Sequence, residues 1–436
     1  MTMTLLVNLT NCLLRKHYSS HVLNILAFIP RTNLHNSVII KYRPQAILLN
    51  IACLSERGLF SYFCQKNLEA SVKPCYVSRF FSSSVKGNSF KFDQKQESRR
   101  QKLLLLTYFS GFIGTCLLCA IGFRQYAVFS RRAQGIEELR VREYGRSPHL
   151  FRYRGYVLPD FVISDVQGIH TYDVREDDVW VVGFPKAGIT WLQEIVYLIV
   201  NDADFKTASE IKIEDRFPYF EYIFPGKKSI DKMVSPRLIK THLPLSLLPN
   251  QIAQKKPKII YIARNPKDTV VSYFHFVTKF LSGIGQSFNG TFEKYCELFV
   301  DDLVHYGPWW KHVKEAWDRR DDDNVLVLFY EDLQLDLQKT VLDIAQFLEK
   351  PITAATAQAI VQHCSFESMK NNKSVNYDWM KDEELARKDA SFMRKGEVGD
   401  WKNHLSADVI QKLDEIVATK LSPADIPIRD SLPKKN

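Results

Sequence analysis

A lysine and a threonine in a strand–turn–helix pattern are among the residues of this chain that are best suited to chemistry. Residues 179–191 read VWVVGFPKAGITW, a short apolar run followed by Pro-Lys-x-Gly-x-Thr-Trp, and the residues that follow have helical apolar periodicity. Such a turn directs backbone N–H groups and the positive end of the helix dipole at one point. Lys186 adds a full charge and Thr190 adds a hydroxyl. The pattern predicts a phosphate-binding turn.

The order of residues in this turn argues against magnesium. The common nucleotide-triphosphate motif needs a Gly-Lys pair followed by Ser or Thr, whose hydroxyl holds the metal. Here Lys186 precedes Gly188, and no hydroxyl occupies the metal-binding position. The histidines fit no zinc spacing either. We therefore expect a phosphorylated ligand bound without a metal ion, which disfavours a phosphoryl-transfer enzyme.

Three further segments place cations, a histidine and a serine after apolar runs. Residues 235–244 read SPRLIKTHLP, residues 257–276 read PKIIYIARNPKDTVVSYFHF, and residues 394–401 read RKGEVGDW. The first two are strand patterns, one that ends in Lys240-Thr241-His242 and one that is followed by Arg264, and the third is a basic loop with spaced glycines. Taken singly, His242 could be a hydrogen-bonded turn residue, and Arg264 and Lys395 could be ordinary surface cations.

Together and in this order, the four segments resemble the cytosolic sulfotransferase family from about Pro148 to about Asp425. The resemblance implies a P-loop-like fold, transfer of a sulfuryl group from 3′-phosphoadenosine 5′-phosphosulfate (PAPS), and a small-molecule hydroxyl acceptor. It implies that His242 is the catalytic base and that Lys186 and Lys240 stabilise charge. The donor-binding residues that it implies are Lys186, Ala187, Gly188, Ile189, Thr190, Trp191, Arg264, Ser272, Tyr330, Phe366, Arg394, Lys395 and Gly396.

Within that set, the resemblance gives each group a separate task. Arg264, Ser272 and the Arg-Lys-Gly loop at 394–396 would hold the 3′-phosphate, while Trp191 and Phe366 would enclose the adenine with Tyr330 nearby. Sulfuryl transfer depends on positioning and on charge placed where charge develops. A neutral histidine can take the acceptor proton near pH 7.

Two departures from the family pattern bear on activity and assembly. The turn carries Ala187 and Ile189 where the family usually has Ser and Thr, so two hydroxyl donors are missing. Each lost hydrogen bond to a charged oxygen costs roughly 1.5 to 3 kcal/mol, so a catalytically weak nucleotide-binding or scaffold protein is the alternative. In the family's dimer motif Lys402 is present, but Ser406, Ala407 and Gln411 replace the usual residues, which puts the homodimer in doubt.

The apolar runs predict an α/β domain with a central parallel sheet flanked by helices. We expect strands at 179–183, 238–241, 258–263 and 325–330, with the ligand loops at their carboxyl ends. The loops at 217–228 and 280–291 are expected to shape the acceptor pocket, and their aromatic and glycine content favours an apolar alcohol or phenol. Trp309 and His312 are interpreted as core packing or an acceptor-pocket wall, and His275 and Phe276 as structural.

Charge separates the chain into a basic leader and a nearly neutral remainder. The chain has 436 residues and a net charge of +10, but residues 1–102 hold 15 Lys or Arg and 4 Asp or Glu, a balance of +11 that leaves −1 for the rest. The catalytic part therefore has no nucleic-acid signature. The leader, with SRFFSSS at 78–84, is either a mitochondrial presequence or a poorly ordered extension.

The leader is followed by Leu103–Phe123, 21 uncharged residues between basic flanks. This is long enough for a transmembrane helix, and a buried hairpin is the less favoured alternative. We expect a linker at 124–147 and the catalytic domain at 148–430. Only Cys296 and Cys364 lie in the catalytic part, so we expect a reducing compartment: the cytoplasm, with the mitochondrial matrix as alternative and the Golgi lumen below both.

Overall fold

The structure, a computed structural model, describes residues 94–145, 150–222, 226–281 and 288–433. Most of the leader, residues 1–93 with the segment at 78–84, lies outside the described residues. In chain order the strands are β1 (Glu137–Leu139), β2 (Leu150–Tyr153), β3 (Tyr156–Pro159), β4 (Val179–Val182), β5 (Leu238–Thr241), β6 (Lys258–Ala263) and β7 (Val325–Phe329).

The longer helices lie before, between and after these strands. They are α1 (Gln94–Ala133), α2 (Ile189–Val200), α3 (Pro266–His275), α4 (Phe292–Val300), α5 (Trp309–Trp317), α6 (Leu337–Phe347), α7 (Ala354–His363) and α8 (Ala407–Ile416). Shorter helical segments are Asp160–Ile163, Val166–His170, Phe205–Glu210, Ile213–Arg216, Gly226–Ile230, Ile252–Lys255, Tyr330–Leu335, Phe366–Asn371 and Trp379–Asp382.

A four-stranded parallel sheet in the order β5-β4-β6-β7 forms the centre of the domain. The strands are continuous apolar runs because both faces of the sheet are covered. Trp180 and Val182 pack on one side with residues of α3 and α5, whereas Val179 and Val181 pack on the other side with residues of α2, α6 and α7. This alternation is the two-residue period of a strand. The predicted α/β fold is confirmed.

The predicted strands agree with the structure to within one residue. Those at 238–241 and 258–263 have the predicted bounds, β4 ends at Val182, and β7 ends at Phe329 because Tyr330 begins a helical segment. All four strands run in the same direction, so the residues that follow them meet at one edge of the sheet. These residues are the turn before α2, His242, Arg264 and Tyr330.

Residues 124–147 differ from the predicted linker. Helix α1 continues to Ala133 because no proline or glycine follows Gly122 until Gly135, whose φ of +73° ends the helical path. Glu137–Leu139 then pairs antiparallel with β2, which pairs antiparallel with β3. The segment is therefore a helix end and a strand over much of its described length.

Helix α1 contains the predicted transmembrane segment. Within the described ranges it is the one helix long and apolar enough to cross a membrane, over Lys102–Ala133, and that stretch is not buried by the rest of the protein. Its apolar side chains, from Leu103 to Phe129, are exposed. By length and composition, this helix fits the thickness of a bilayer core.

Candidate active site

The turn between β4 and α2 has a backbone shape that only some residues allow. Lys186 and Gly188 have φ values of +70° and +104°. A Cβ atom on Gly188 would lie 2.7 Å from a ring carbon of Tyr330, so a larger residue does not fit there. Gly188 caps α2 without a side-chain hydrogen bond to the first N–H groups of the helix. These N–H groups are thus available to an anion at a helix N-terminus.

A cavity of about 350 Å³ opens over this turn and collects most of the predicted donor-site residues. Ala187 is the exception: it is only 1% exposed and packs in the core beneath the turn. The predicted residues that line the cavity are Lys186, Gly188, Ile189, Thr190, Trp191, Lys240, His242, Arg264, Ser272, Tyr330, Phe366, Arg394, Lys395 and Gly396. Four segments distant in sequence therefore form one site.

Positive charge is concentrated in this cavity without an equal number of anions. Burial, followed by the nearby charges of Arg264, Lys240 and Arg394, lowers the pKa of Lys186 to about 7. The guanidinium of Arg264 donates to the backbone oxygens of Lys186 and Glu397 at 3.2 Å each, and its buried Nε has no partner among the described residues. A bound phosphate would relieve the repulsion among these cations.

Aromatic rings line the same cavity. The indole N–H of Trp191 donates to the Cys364 carbonyl at 2.8 Å, which fixes the ring, and Tyr330 packs edge-on against it at 5.5 Å. A Cβ atom on Gly396 would clash with the Phe366 ring, so the basic loop passes directly over that ring. Aromatic faces held this way can enclose a flat base.

The cations of the basic loop are paired within the protein. Arg394 donates to Asp400 at 2.6 Å, and Lys395 contacts the other oxygen of the same carboxylate. Burial would raise the pKa of Asp400, but the hydrogen bonds from Lys395 and Arg394 outweigh it and hold that pKa well below its usual range. Asp400 thus fixes the side chains that the resemblance assigns to the 3′-phosphate.

A second cavity of about 580 Å³ adjoins the first and is largely apolar and aromatic. It includes residues of both loops predicted to form the acceptor pocket, among them Phe217, Tyr219, Tyr222 and Phe280. Parts of these loops, at 223–225 and 282–287, lie outside the described residues. The residues that line both cavities are Pro185, Lys240, His242, Phe276 and Phe392.

His242 lies on the boundary of the two cavities in a defined tautomer. Its Nδ1 is 2.9 Å from the Gly183 carbonyl, and because a carbonyl only accepts, Nδ1 carries the proton. Burial, followed by the charge of Lys240, lowers the pKa of His242 well below its usual value. The ring is therefore neutral near pH 7, with Nε2 as the nitrogen that can accept a proton.

A buried glutamate that the sequence analysis missed holds this histidine. Glu221 accepts the backbone N–H of His242 at 2.8 Å and the Thr241 hydroxyl at 2.7 Å. His312 completes the arrangement, since its Nε2 is 3.0 Å from the His242 carbonyl and its Nδ1 is 2.8 Å from the Tyr261 hydroxyl. His312 and Trp309 are fully buried, in agreement with the core-packing interpretation.

The interpretation of Phe276 as only structural is wrong. Its ring lies 4.4 Å from the Lys186 ammonium, which also lies 4.2 Å from the ring of Phe392, a residue that the sequence analysis missed. The two rings hold the lysine by cation–π contacts at the boundary of both cavities. His275 packs against His404 at 5.9 Å, which fits its structural interpretation. No cluster of metal-ligating side chains occurs among the residues that the structure describes.

Comparison with known proteins decides the family. The model of the sulfotransferase domain matches residues 176–424, more than half of the chain. The chain belongs to the sulfotransferase family. Human sulfotransferase 1E1 is 39% identical over 268 residues, which are 61% of this chain and 90% of that protein. Mouse sulfotransferase 1 family member D1 is 38% identical over 268 residues, again 61% of this chain and 90% of that protein.

Solved structures support the same assignment. Retinol dehydratase in complex with retinol and PAP has a TM-score of 0.61 at 27% identity, covering 67% of this chain and 98% of that one. Mouse sulfotransferase SULT7A1 with PAP has a TM-score of 0.52 at 30% identity, covering 63% of this chain and 95% of that one. The sulfotransferase fold and the family resemblance are therefore confirmed, and this sulfotransferase is a PAPS-dependent enzyme.

Proposed function

We propose that this sulfotransferase moves the sulfuryl group of PAPS to the hydroxyl of a small apolar alcohol or phenol, with His242 as general base. The observation that carries the proposal is the position of His242, which lines both the cationic cavity and the aromatic cavity. Its protonated Nδ1 faces the Gly183 carbonyl, which leaves Nε2 to take a proton. A base at the junction of donor and acceptor sites is what the reaction needs.

The proposed transfer needs only two reactants, PAPS and the hydroxyl acceptor. The acceptor oxygen forms a bond to sulfur, and the bond from sulfur to the 5′-phosphate oxygen breaks with its electron pair remaining on the phosphate. The acceptor proton moves to Nε2 of His242. Lys186 and Lys240 stabilise the charge that develops, and Phe276 and Phe392 keep the Lys186 ammonium at the boundary between the cavities.

We assign the remaining donor contacts to residues of the same cationic cavity. The N-terminus of α2 with Gly188, Ile189 and Thr190 would hold the 5′-phosphosulfate, which supplies the activated sulfuryl group when bound. Arg264, Ser272 and the loop at 394–396 would hold the 3′-phosphate. Trp191, Tyr330 and Phe366 would enclose the adenine. The charges of Arg264, Lys240 and Arg394 around Lys186 support this assignment, because a multivalent anion would relieve their repulsion.

The acceptor class follows from the aromatic cavity. Its volume of about 580 Å³ and its aromatic lining suit an apolar molecule with one hydroxyl directed at His242. Two similar solved structures, both of retinol dehydratase, contain retinol and androsterone, which are apolar alcohols. A phenol fits the same requirements because its hydroxyl is attached to an apolar ring.

The anchor, the compartment and the assembly complete the proposal. Leu103–Phe123, within α1, would cross the membrane and leave the domain at 148–430 in the cytoplasm, with the mitochondrial matrix as the alternative. The free thiols Cys296 and Cys364 are buried and support a reducing compartment. The Ser406 hydroxyl accepts the Val409 N–H and so caps the N-terminus of α8. In the altered dimer motif this residue therefore stabilises its own helix, and we propose that the protein is a monomer.

Two measurements on the full chain test the function. Calorimetric titration with adenosine 3′,5′-bisphosphate should show binding, and transfer from PAPS to a panel of phenols and apolar alcohols should give sulfated products. Binding without transfer to any acceptor would favour the weak nucleotide-binding alternative raised by Ala187 and Ile189. Absence of both would overturn the assignment of the cationic cavity.

A further inference from the structure

The end of the apolar helix is attached to the wall of the aromatic cavity. A guanidinium nitrogen of Arg131, in the last turn of α1, lies 3.3 Å from a carboxylate oxygen of Asp160, and the guanidinium lies 4.7 Å from the centre of the Phe151 ring. Asp160 is flanked by Pro159 and Phe161, and both of these residues line the aromatic cavity. The ion pair is largely exposed and adds little stability, but together with the Phe151 contact it places the last turn of α1 beside the wall of the aromatic cavity.

A continuous row of aromatic rings joins this attachment to the catalytic base. Phe161 packs edge-on against Tyr222 at 5.3 Å, Tyr222 stacks on Tyr219 at 5.5 Å, and Tyr219 packs edge-on against His242 at 5.2 Å. We call Phe161, Tyr222 and Tyr219 the aromatic wall. It offers an apolar surface from the helix end to the reacting centre.

The length of the helix places this wall near the bilayer. Arg131 lies eight positions after Phe123, the last residue of the predicted span, and a helix rises 1.5 Å per residue, which gives about 12 Å. The polar layer on each side of a bilayer core is about 5 to 8 Å thick. Tyr126 and Phe129 are exposed in this interval. Aromatic residues favour that interface, and a helix along the bilayer normal would place Arg131 just outside the polar layer.

From these relationships we infer that the acceptor is an alcohol or phenol dissolved in the membrane, which reaches His242 along the aromatic wall. The inference rests on the proposed function and on the proposed anchor, and it narrows the acceptor class. Each buried CH₂ increases partitioning into the bilayer about fourfold, so a long-chain or polycyclic alcohol concentrates there. An enzyme whose acceptor cavity begins at the bilayer surface has access to the higher acceptor concentration in the bilayer.

The test compares acceptors that share a reacting hydroxyl and differ in partitioning. The full chain is reconstituted in phosphatidylcholine vesicles, and PAPS is added outside. Para-hexadecylphenol is placed either in the same vesicles or in separate protein-free vesicles, and water-soluble phenol serves as the reference. We expect initial sulfation of para-hexadecylphenol to be about tenfold or more faster from the same vesicles, because membrane confinement raises its effective concentration. Phenol should react equally in both arrangements.

Charge reversal at the helix attachment provides a second readout. Asp160→Lys should lower the same-vesicle advantage by about threefold, since it replaces an ion pair with a repulsion, and should leave the phenol rate unchanged. Asp343→Lys, an exposed carboxylate paired with Lys339 on α6, is the matched control.

The outcomes separate the two proposals. Equal rates from the same and separate vesicles, or sulfation of phenol but not of para-hexadecylphenol, would overturn the inference and leave the proposed function in place. No sulfation of either phenol, together with no binding of adenosine 3′,5′-bisphosphate, would overturn the proposed function itself.

Discussion

Glu221 holds His242 through the backbone, with its carboxylate 2.8 Å from the His242 N–H. The other oxygen accepts the Thr241 hydroxyl at 2.7 Å, and that hydroxyl accepts the Leu243 N–H at 3.0 Å. Three consecutive residues are therefore positioned by one buried side chain. Burial raises the pKa of Glu221 to about 7, although the bonds from Thr241 and His242 oppose the rise.

Replacing Glu221 tests whether this arrangement positions the base. Glu221→Gln keeps the size but places an amide N–H group against these donors, and losing one such buried bond costs about 1 to 3 kcal/mol. We expect kcat to fall about tenfold or more, while affinity for adenosine 3′,5′-bisphosphate stays constant. Glu315→Gln, on the partly exposed Ser246 contact, is the control. A parallel loss of nucleotide affinity would indicate a general structural role.

The general base itself is tested by removing the imidazole. His242→Ala should reduce transfer about 10² to 10⁴-fold, the usual contribution of a positioned base. Nucleotide affinity should change little because the base acts on the acceptor. His242→Gln, which can still bond to the Gly183 carbonyl, separates loss of the base from loss of packing. Wild-type activity in either variant would reject the assignment.

The pKa of Lys186 predicts proton uptake on nucleotide binding. In the free protein this pKa is lowered to about 7, so above pH 7 most of the lysine is neutral. A bound anion favours the ammonium and raises the pKa, so binding at pH 8 should take up close to one proton and weaken as pH rises further. Calorimetry in buffers with different ionisation enthalpies measures the uptake. It should vanish in Lys186→Met and persist in Lys395→Met.

The altered turn predicts unequal effects of restoring its hydroxyls. Ala187 and Ile189 both pack in the same core cluster, but Ile189 also lines the cationic cavity at the start of α2, whereas Ala187 does not. Ile189→Thr should tighten adenosine 3′,5′-bisphosphate binding by up to roughly 1.5 to 3 kcal/mol, and Ala187→Ser should have little effect. Titration calorimetry on both variants checks this. Equal binding by wild type and Ile189→Thr would mean that the backbone N–H groups already satisfy the phosphate.

The anchor predicts resistance to alkaline extraction. If Leu103–Phe123 spans a bilayer, its insertion is effectively irreversible, whereas a surface contact is not. The full chain should stay in the membrane pellet after a carbonate wash, and the replacement of Leu106, Ile113 and Leu117 by lysine should release it. Quantitative release of the unaltered chain by carbonate would reject the anchor.

The central sheet was predictable because its strands are buried on both faces. Runs such as KIIYIA leave no alternative to a buried strand, and parallel strands bring their carboxyl ends together. The residues after these ends, His242 and Arg264 among them, were therefore expected at one edge of the sheet, and in the structure they line one cavity.

The errors arose where long-range packing decides. Glu221 lies in a loop pattern, and nothing local indicates that its carboxylate faces Thr241 and His242. Phe276 directly follows α3, where a rotation of less than one turn decides whether a side chain faces the core or the cavity, and its partner Phe392 is distant in sequence. The predicted linker contains only a short apolar pattern, which does not by itself indicate a strand. Strand β1 forms because it can pair with the edge of β2.

Asp400 gives Arg394 and Lys395 an internal counter-ion. If these cations also bind the 3′-phosphate, nucleotide departure does not leave two bare charges exposed to water, because the carboxylate keeps both in place. The loop then stays ordered between turnovers, so the binding site is already formed when the next donor molecule binds. Part of the entropy cost of nucleotide binding is therefore incurred when the chain folds. Asp400 orders the loop in advance, although it does not contact the reacting sulfur.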